Sequence, residues 1–530
     1  MSLAARLADA AGPGTVVDDP TELAYLANDI AGEGAHPPAL AVRPASVEAL
    51  QAVVRAATEA GCAVVPRGGG FSYTGGYLAD RPGAVLLDLT GLDRVVEIAA
   101  QDGYVVVEAG CTWATLHDAL KPLGLRTPFF GPLSGLVATV GGALSQNAAF
   151  FGSASAGVSA DSVLGLEVVL ADGALLRTGA WALEGRAPFQ RAAGPDLTGL
   201  FLGDCGALGV KARAALRLVP RPAEAYASFA FPDAAALAAA QVTLAGIPGL
   251  AECFAFDPVA NDNLRRSGFS LAEKASTFAD VARAGGGLKG LGAAIGLGLR
   301  RTTFLEDVRW SLHLVAEGPD EAAAAAALRR ACERVASLGG EAMPDGIPRA
   351  TRSRPFRPIK ALLGPAGERW LPVHGIVPLS RGAEALARVE ALLAESARER
   401  GAHGIRVSLL TTLVGRAFLI EPQFFWLDAL GPFHQRHVTP AQKADYGTSE
   451  ARPEARALVH RLRHALAAAL GELGAVHFQL GRHYPYAEAL EPAARAALAG
   501  LKRALDPRGL MNPGALGLAE SPSDPTTGEP

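Results

Sequence analysis

Pro66-Arg67-Gly68-Gly69-Gly70-Phe71-Ser72-Tyr73 is the stretch on which the reading of this chain turns. Three successive glycines cannot prolong a strand or a helix, because each forgoes side-chain packing and loses the most backbone entropy on ordering. The apolar residues 62–65 just before them read as a short buried strand, so the glycines leave a strand end. Working backwards, residues 39–42 read as extended. Ser46 then suits the cap of a helix striped by Val47, Leu50, Val53 and Val54. Working forwards, strands are expected at 85–89 and 104–108, and Thr112 should cap a helix carrying Leu116 and Leu120.

A second glycine-bearing segment, residues 130–155, contains Gly141-Gly142 and Gln146-Asn147 and reads as irregular. Residues 165–170 then read as a strand that turns at Ala171-Asp172-Gly173. Three further glycines in 202–210 precede a strand at 215–219, and Pro220, Arg221 and Pro222 mark a domain boundary. Beyond it, helices fit 320–338, 383–398, 452–471 and 491–505, with β-like runs at 407–413 and 417–420. The expected division is 1–222 for the first domain, 223–475 for a second, 476–518 for a return to the first, and 519–530 as a disordered tail. Helices and antiparallel strands in separate runs give an α+β class.

The bulk composition narrows the function. The chain has 530 residues, 49% of them hydrophobic, and a single core stops growing well short of that length. A formal charge of −4 without a lysine- or arginine-rich segment argues against nucleic acid as a partner. Mean hydropathy is +0.20, carried by scattered alanine and valine rather than a membrane-length apolar run, so no membrane span and no signal peptide are expected. Five cysteines without a CxxC spacing fit neither a disulfide scaffold nor a thiolate zinc site, and they suggest a cytoplasmic setting.

Glycine segments at strand ends let backbone N–H groups approach a phosphate while removing side chains that would collide with a long ligand. The first segment has no GxGxxG opening a helix and no GxxxxGK[ST], so neither an ordinary dinucleotide crevice nor a P-loop fits.

Five ordered blocks resemble the vanillyl-alcohol-oxidase superfamily of FAD-linked oxidases and dehydrogenases. They are 66–72, 139–147, 161–173, the segment 200–210 and the tail turn Asp506-Pro507-Arg508-Gly509-Leu510-Met511-Asn512-Pro513-Gly514. The resemblance implies a PCMH-type FAD-binding domain with glycolate-oxidase-like FAD blocks, and a second α+β cap domain of antiparallel sheet and helices that makes the substrate pocket. It also implies cofactor contacts at Pro66, Arg67, Gly68, Gly69, Gly70, Phe71, Ser72, Tyr73, Pro132, Thr139, Gly141, Gly142, Ala143, Gln146, Asn147, Gly152, Asp161, Gly209, Val210 and Asn512. Some relatives bind FAD covalently through a histidine in the first glycine loop. Phe71 stands there, so dissociable FAD is expected. The hydroxy-acid branch has HxGDGNxH and GEHGxG metal motifs, whereas this chain has Val373-His374-Gly375-Ile376 and Val476-His477-Phe478-Gln479 in the corresponding regions. No metal is expected.

Flavin chemistry needs a substrate C–H held over the ring and a group that handles the hydroxyl proton. His374, interrupting the apolar stretch 371–379, is one candidate, and its bland alternative is a histidine satisfied within a strand. The cluster His477, Arg482, Tyr484 is the other. Alternation in 476–480 would put His477 and Gln479 on one face, Arg482 could hold a carboxylate or phenolate, and Tyr484 could orient a phenol. The arginines at 349, 352, 354 and 357 read as a solvated face, and His434, Arg436 and His437 as a lid or metal ligands. The sequence therefore suggests hydride transfer from a small phenolic or benzylic alcohol to FAD, with oxygen or another acceptor downstream and a homodimer compatible with the composition. The competing readings are a metal-free D-2-hydroxy-acid dehydrogenase and a catalytically degenerate flavin-binding protein.

Overall fold

The computed structural model describes residues 1–32, 34–266, 305, 308–356, 363–438, 446 and 450–518. The tail expected to be disordered at 519–530 and the arginine at 357 lie outside the described residues.

Strand β1 (Leu40–Val42) leads into helix α1 (Val47–Glu59), where Ser46 accepts a hydrogen bond from the Ala49 amide and Leu50, Val53, Val54 and Ala57 are buried. Strands β2 (Val64–Arg67) and β3 (Val85–Asp88) follow, and β1 and β2 each pair parallel with β3. The glycine loop therefore leaves the carboxyl end of a short parallel sheet. A second, antiparallel sheet orders β4 (Val95–Ala99), β5 (Tyr104–Glu108), β8 (Val210–Arg217), β6 (Val163–Val169) and β7 (Leu175–Arg177). Between β5 and β6 lie α2 (Trp113–Leu120), capped by Thr112, and α3 (Val140–Gln146), capped by Thr139.

Helix α3 corrects the sequence expectation of an irregular 130–155. Gly141 and Gly142 lowered its helical propensity, but the Thr139 hydroxyl receives the Gly142 amide, and Val140 and Leu144 are fully buried. Strand β8 also begins five residues earlier than expected, because alanines at 212, 214 and 215 pack between β5 and β6 despite weak strand propensity.

The second half is built on an eight-stranded antiparallel sheet. Its members are β9 (Ala223–Phe231), β10 (Leu250–Phe256), β11 (Trp310–Gly318), the short edge strand Glu341–Met343, β12 (Arg369–Pro372), β13 (Gly375–Pro378), β14 (Arg406–Val414) and β15 (Ala417–Trp426). Helices α4 (Ala234–Leu244), α5 (Glu321–Ala336), α7 (Gly382–Glu395) and α8 (Pro453–Glu472) cover one face, and α6 (Gly346–Ser353) lies beside β9 and β11. Phe418, Ile420, Phe424 and Trp426 point into that helical core. Alternation turns Leu419, Glu421 and Gln423 the other way, where Leu419 meets Ala149, Phe150 and Val158 of the first half. This inner sheet face is the wall that the cap presents to the glycine loops.

After α8 and α9 (Pro492–Leu505) the chain returns to β2. The Val64 amide donates to Leu510 and the Asn512 amide donates to the Val64 carbonyl, both at 2.8 Å.

The apolar stretch 371–379 is broken between β12 and β13, where His374 sits, so that histidine is not within a strand. Residues 476–480 are not a strand either, since Val476 makes a single bridge to Ile376 and Gln479 has a left-handed φ of 51°.

Candidate active site

The two glycine segments interlock. A Cβ on Gly68 would overlap the Thr139 side chain, and one on Gly69 would overlap the Val137 carbonyl. One on Gly141 would come within 2.6 Å of Ala109. Glycine is thus required because the chain passes too close for a side chain, and these walls line an open cleft. Among the described residues, the amides of Gly68, Gly69, Gly70, Phe71 and Ser72 donate to no other residue. Five unspent N–H groups on one loop suit the oxygens of a diphosphate, which would replace the water they otherwise need.

Of the expected cofactor residues, the cleft is lined by Pro66, Gly68, Gly69, Gly70, Phe71, Ser72, Pro132, Thr139, Gly141, Gly142, Ala143, Gln146 and Gly209. The others stand behind that lining. Arg67 lies over the rings of Tyr25 and Tyr77, 5.0 and 5.2 Å from their centroids. Asn147 ends α3 with its φ of 55°, and its Oδ1 accepts the Ala160 amide. Asp161 accepts from Val158, Gly152 donates to Glu252, and Val210 is core. Asn512 ties the tail to the loops, its Nδ2 donating to the carbonyls of Gly76 and Cys205.

Sequence reasoning missed Lys211, Cys205 and Tyr77 as lining residues, whereas Gln479, expected to share a pocket-facing side with His477, does line the cleft. Lys211 is the least expected, a buried ammonium ion-paired with Asp204. Its signal was adjacency to Gly209-Val210, which alone does not say that a side chain turns into the cleft.

The proposed catalytic cluster assembles beside Gln479. The Tyr484 hydroxyl accepts the His374 amide at 3.0 Å and lies 3.2 Å from the His374 carbonyl, which also receives His477 Nδ1 at 2.7 Å. The His374 ring stacks on Phe478 with centroids 3.8 Å apart, and His477 stacks on Tyr484 at 4.1 Å. Burial, the nearby His477 and Arg463 push His374 well below its ordinary value, so its imidazole is neutral, and its Nε2 is buried without a partner. Tyr73 completes the group, its ring 5.9 Å from that of His374 and its hydroxyl close enough to the Gln479 side chain to be favoured in its ionised form by it. Burial raises both Tyr73 and Tyr484 above the usual phenol range, keeping them protonated donors.

Arg482 does not face this group. Its guanidinium donates to Gly75 O, to Asn512 Oδ1 at 2.8 Å and to Pro513 O at 2.6 Å. It fastens the tail to the loop, so Arg482→Met should lower the melting temperature and the bound-cofactor content together. Unmaking three charge-assisted bonds costs about 2–4 kcal/mol. A variant that keeps both values unchanged, by scanning calorimetry and visible absorbance, would show that the tail needs no such fastening.

The basic run read as a solvated face is corrected. Arg352 is buried, paired with Glu317 and 3.3 Å from Glu252, because β9, β10 and β11 place three carboxylates opposite α6. Phe433 and His437 pack edge-on against Phe71 at 5.4 and 5.2 Å, so this segment covers the first loop. Among the described residues no three His, Cys, Asp or Glu side chains converge to hold a metal ion.

A family model described as the FAD binding domain matches residues 38–179, and one described as the C-terminal domain of FAD linked oxidases matches 221–516, more than half of the chain. The chain belongs to the FAD-linked oxidases. This FAD-linked oxidase is an oxidoreductase enzyme with FAD as its cofactor, and the cleft with its free loop amides fits that group. It is 35% identical over 215 residues to a probable mitochondrial D-lactate dehydrogenase of Danio rerio, covering 40% of this chain and 42% of that one. It is 32% identical over 185 residues to glycolate oxidase subunit GlcD of Bacillus subtilis, covering 35% and 38%. These matches thus span about two fifths of the curated relatives. In fold, it is similar to p-cresol methylhydroxylase, with a TM-score of 0.73 at 17% identity over 97% and 96% of the two chains. It is also similar to 4-ethylphenol oxidase from Gulosibacter chungangensis, with a TM-score of 0.67 at 19% identity over 98% and 97%. Among the described residues no helix is long and apolar enough to cross a membrane.

Proposed function

We propose that this FAD-linked oxidase takes a hydride from a small neutral alcohol, of the phenolic or benzylic class, held against the inner sheet face of the cap. The observation that carries this reading is how the nearby guanidiniums are used. Arg463 donates to the carbonyls of Pro372 and Tyr73, and Arg482 to Gly75, Asn512 and Pro513. Most of these donors are spent on the chain itself, with Nε of Arg482 buried and unpartnered, whereas the phenols of Tyr73 and Tyr484 offer hydrogen bonds suited to a neutral hydroxyl or a phenolic oxygen.

When bound, FAD supplies the two-electron acceptor. The chain's residues do the rest. Gly68 to Ser72 would hold the diphosphate, and Gln479, fixed by its amide to the Gln146 carbonyl at 2.6 Å, would hold Tyr73 toward the substrate. His374, His477 and Tyr484 would position one another as a stacked unit, and Phe71 offers no nucleophile, so FAD is held without a bond from that loop. Five unpaired cysteines suit a reducing compartment such as the cytoplasm.

A second reading, oxidation of a D-2-hydroxy acid, is favoured by the printed names of the curated relatives, which include a D-2-hydroxyglutarate dehydrogenase of Xanthomonas citri at 31% identity. Anaerobic mixing separates the two. The flavin of the purified holoenzyme should bleach with 4-hydroxybenzyl alcohol at least about tenfold faster than with D-lactate or D-2-hydroxyglutarate, a difference worth about 1.4 kcal/mol in the barrier. The reverse order would give the site to hydroxy acids. Acid precipitation should release the flavin.

A further inference from the structure

Glu421 stands on the inner face of β15, opposite Leu410 of β14 and two residues from Gln423. One of its oxygens receives Gln423 Nε2 at 2.7 Å, and Gln423 in turn is held by the Ser408 hydroxyl at 3.2 Å. Among the described residues no lysine, arginine or histidine pairs with it. Yet it lies deep enough for burial to push its carboxyl up to about 7, while part of the side chain still reaches accessible space. It is also near enough to Tyr73 and Tyr484 to oppose the ionisation of both.

An uncompensated carboxyl in such a place is costly to fold. A glutamine at 421 would keep the bonding to Gln423 without the charge, so the fold alone gives no reason for an acid. Arginines in the same region lie against backbone carbonyls rather than turning to neutralise it. Its neighbours are instead neutral groups: Gln423 donates to it, Tyr73 and Tyr484 lie within its electrostatic reach, and the Val373 amide bonded to the Pro422 carbonyl at 2.9 Å sets the neutral His374 alongside it in register.

Building on the function proposed above, we infer that Glu421 is the group that takes the substrate's hydroxyl proton, and that its charge excludes substrates bearing a carboxylate next to the reacting carbon. In the step, the substrate O–H bond breaks and its proton passes to the Glu421 carboxylate. The C–H bond breaks with its electron pair, which leaves as hydride to oxidised FAD, and the carbon–oxygen bond becomes a carbonyl. One substrate loses two electrons and two hydrogens, and FAD with Glu421 receives them. The titratable groups around the break at His374 do not compete for this role near neutral pH. His374 and His477 are held low by burial, Tyr73 and Tyr484 are held high, and Arg463 stays charged on its carbonyls.

The test uses holoenzyme and the Glu421→Gln variant, with FAD content and melting temperature measured in both. Phenol, which has no oxidisable C–H beside its hydroxyl, is titrated first and read by the flavin absorbance. It should bind wild type more tightly as pH rises through about 7, when the carboxylate forms to accept its hydroxyl. The variant should bind it about tenfold more weakly with no pH dependence in that window. Anaerobic reduction by 4-hydroxybenzyl alcohol should then show an acid limb, falling as pH drops below about 7. In Glu421→Gln the reduction should be at least about 100-fold slower and the limb absent. Identical phenol profiles in the two proteins overturn the inference whatever the reduction assay shows. A wild-type flavin that phenol perturbs through Glu421 but no alcohol reduces would instead sink the proposed reaction and leave Glu421 as a ligand-facing group. Faster reduction by D-lactate than by the alcohol would overturn the exclusion of carboxylates.

Discussion

Gly69→Ala should fold and purify without its flavin. The added methyl would overlap the Val137 carbonyl, which is backbone of the opposing segment and cannot rotate away. Relief requires the loop 68–72 or the turn before Thr139 to move, and either shift takes the free amides off the line of the cleft. Overpacking of this kind costs about 1–3 kcal/mol, or roughly ten- to a hundredfold in cofactor affinity. The readout is the ratio of flavin to protein absorbance after dialysis, with far-ultraviolet circular dichroism to confirm that the sheets persist. Gly500→Ala is the control: it lies within α9 with nothing near its added methyl, and should be neutral or stabilising by about 0.5–1 kcal/mol. A Gly69→Ala protein that keeps full flavin would mean that the two loops do not touch as described.

The second large effect is expected from Arg352→Met. Arg352 on α6 and Arg126 of the first half both pair with Glu317, and both guanidiniums lie over the Phe130 ring, at 4.7 and 4.8 Å. Glu252 and Glu224 stand within reach of Arg352 as well. Deleting one charge from such a buried group strands its partners, and the cost is about 3–5 kcal/mol, visible as a fall in the urea midpoint. A loss below about 1 kcal/mol would imply that water already solvates the carboxylates.

The same group carries a pH dependence. Burial first, and then the nearby carboxylates Glu317 and Glu224, raise Glu252 to about 7 against the attraction of Arg352, and one of its oxygens is buried without a partner. Its folded value exceeds its unfolded one, so the folded chain holds a proton that the unfolded chain releases. The stability this contributes is full below the ordinary glutamate value and is lost as pH rises through about 7. Glu252→Gln should flatten that decline, and Arg352→Met should steepen it by removing the cation that favours the charged form.

How much of this could be read beforehand depended on how local the cause was. Ser46, Thr112 and the stripe Val47, Leu50, Val53, Val54 act within about two turns of helix, and the elements they announced are present. Helix α3 was hidden because its glycines lower helical propensity, and its stability comes from Val140 and Leu144 packing in a core that no local window contains. Arg352 looked like one cation in a solvated run because its three carboxylates arrive from strands 35, 100 and 128 residues away.

By itself, the sequence determined where backbone must approach backbone. Glycines at 68–70 and 141–142 set out a cofactor cleft, and Phe71 between Gly70 and Ser72 removed the loop histidine that could have bonded to the ring. The tertiary structure alone decided which side chains face that cleft and which are spent. Gln479 reaches it through a left-handed turn rather than by strand alternation, Arg482 is consumed by the tail, and Glu421 is set on the inner sheet face opposite Leu410 by strand register. The physical reason is range: steric prohibition at a glycine is written in one residue, whereas the charge state and partners of a buried group depend on every element folded around it.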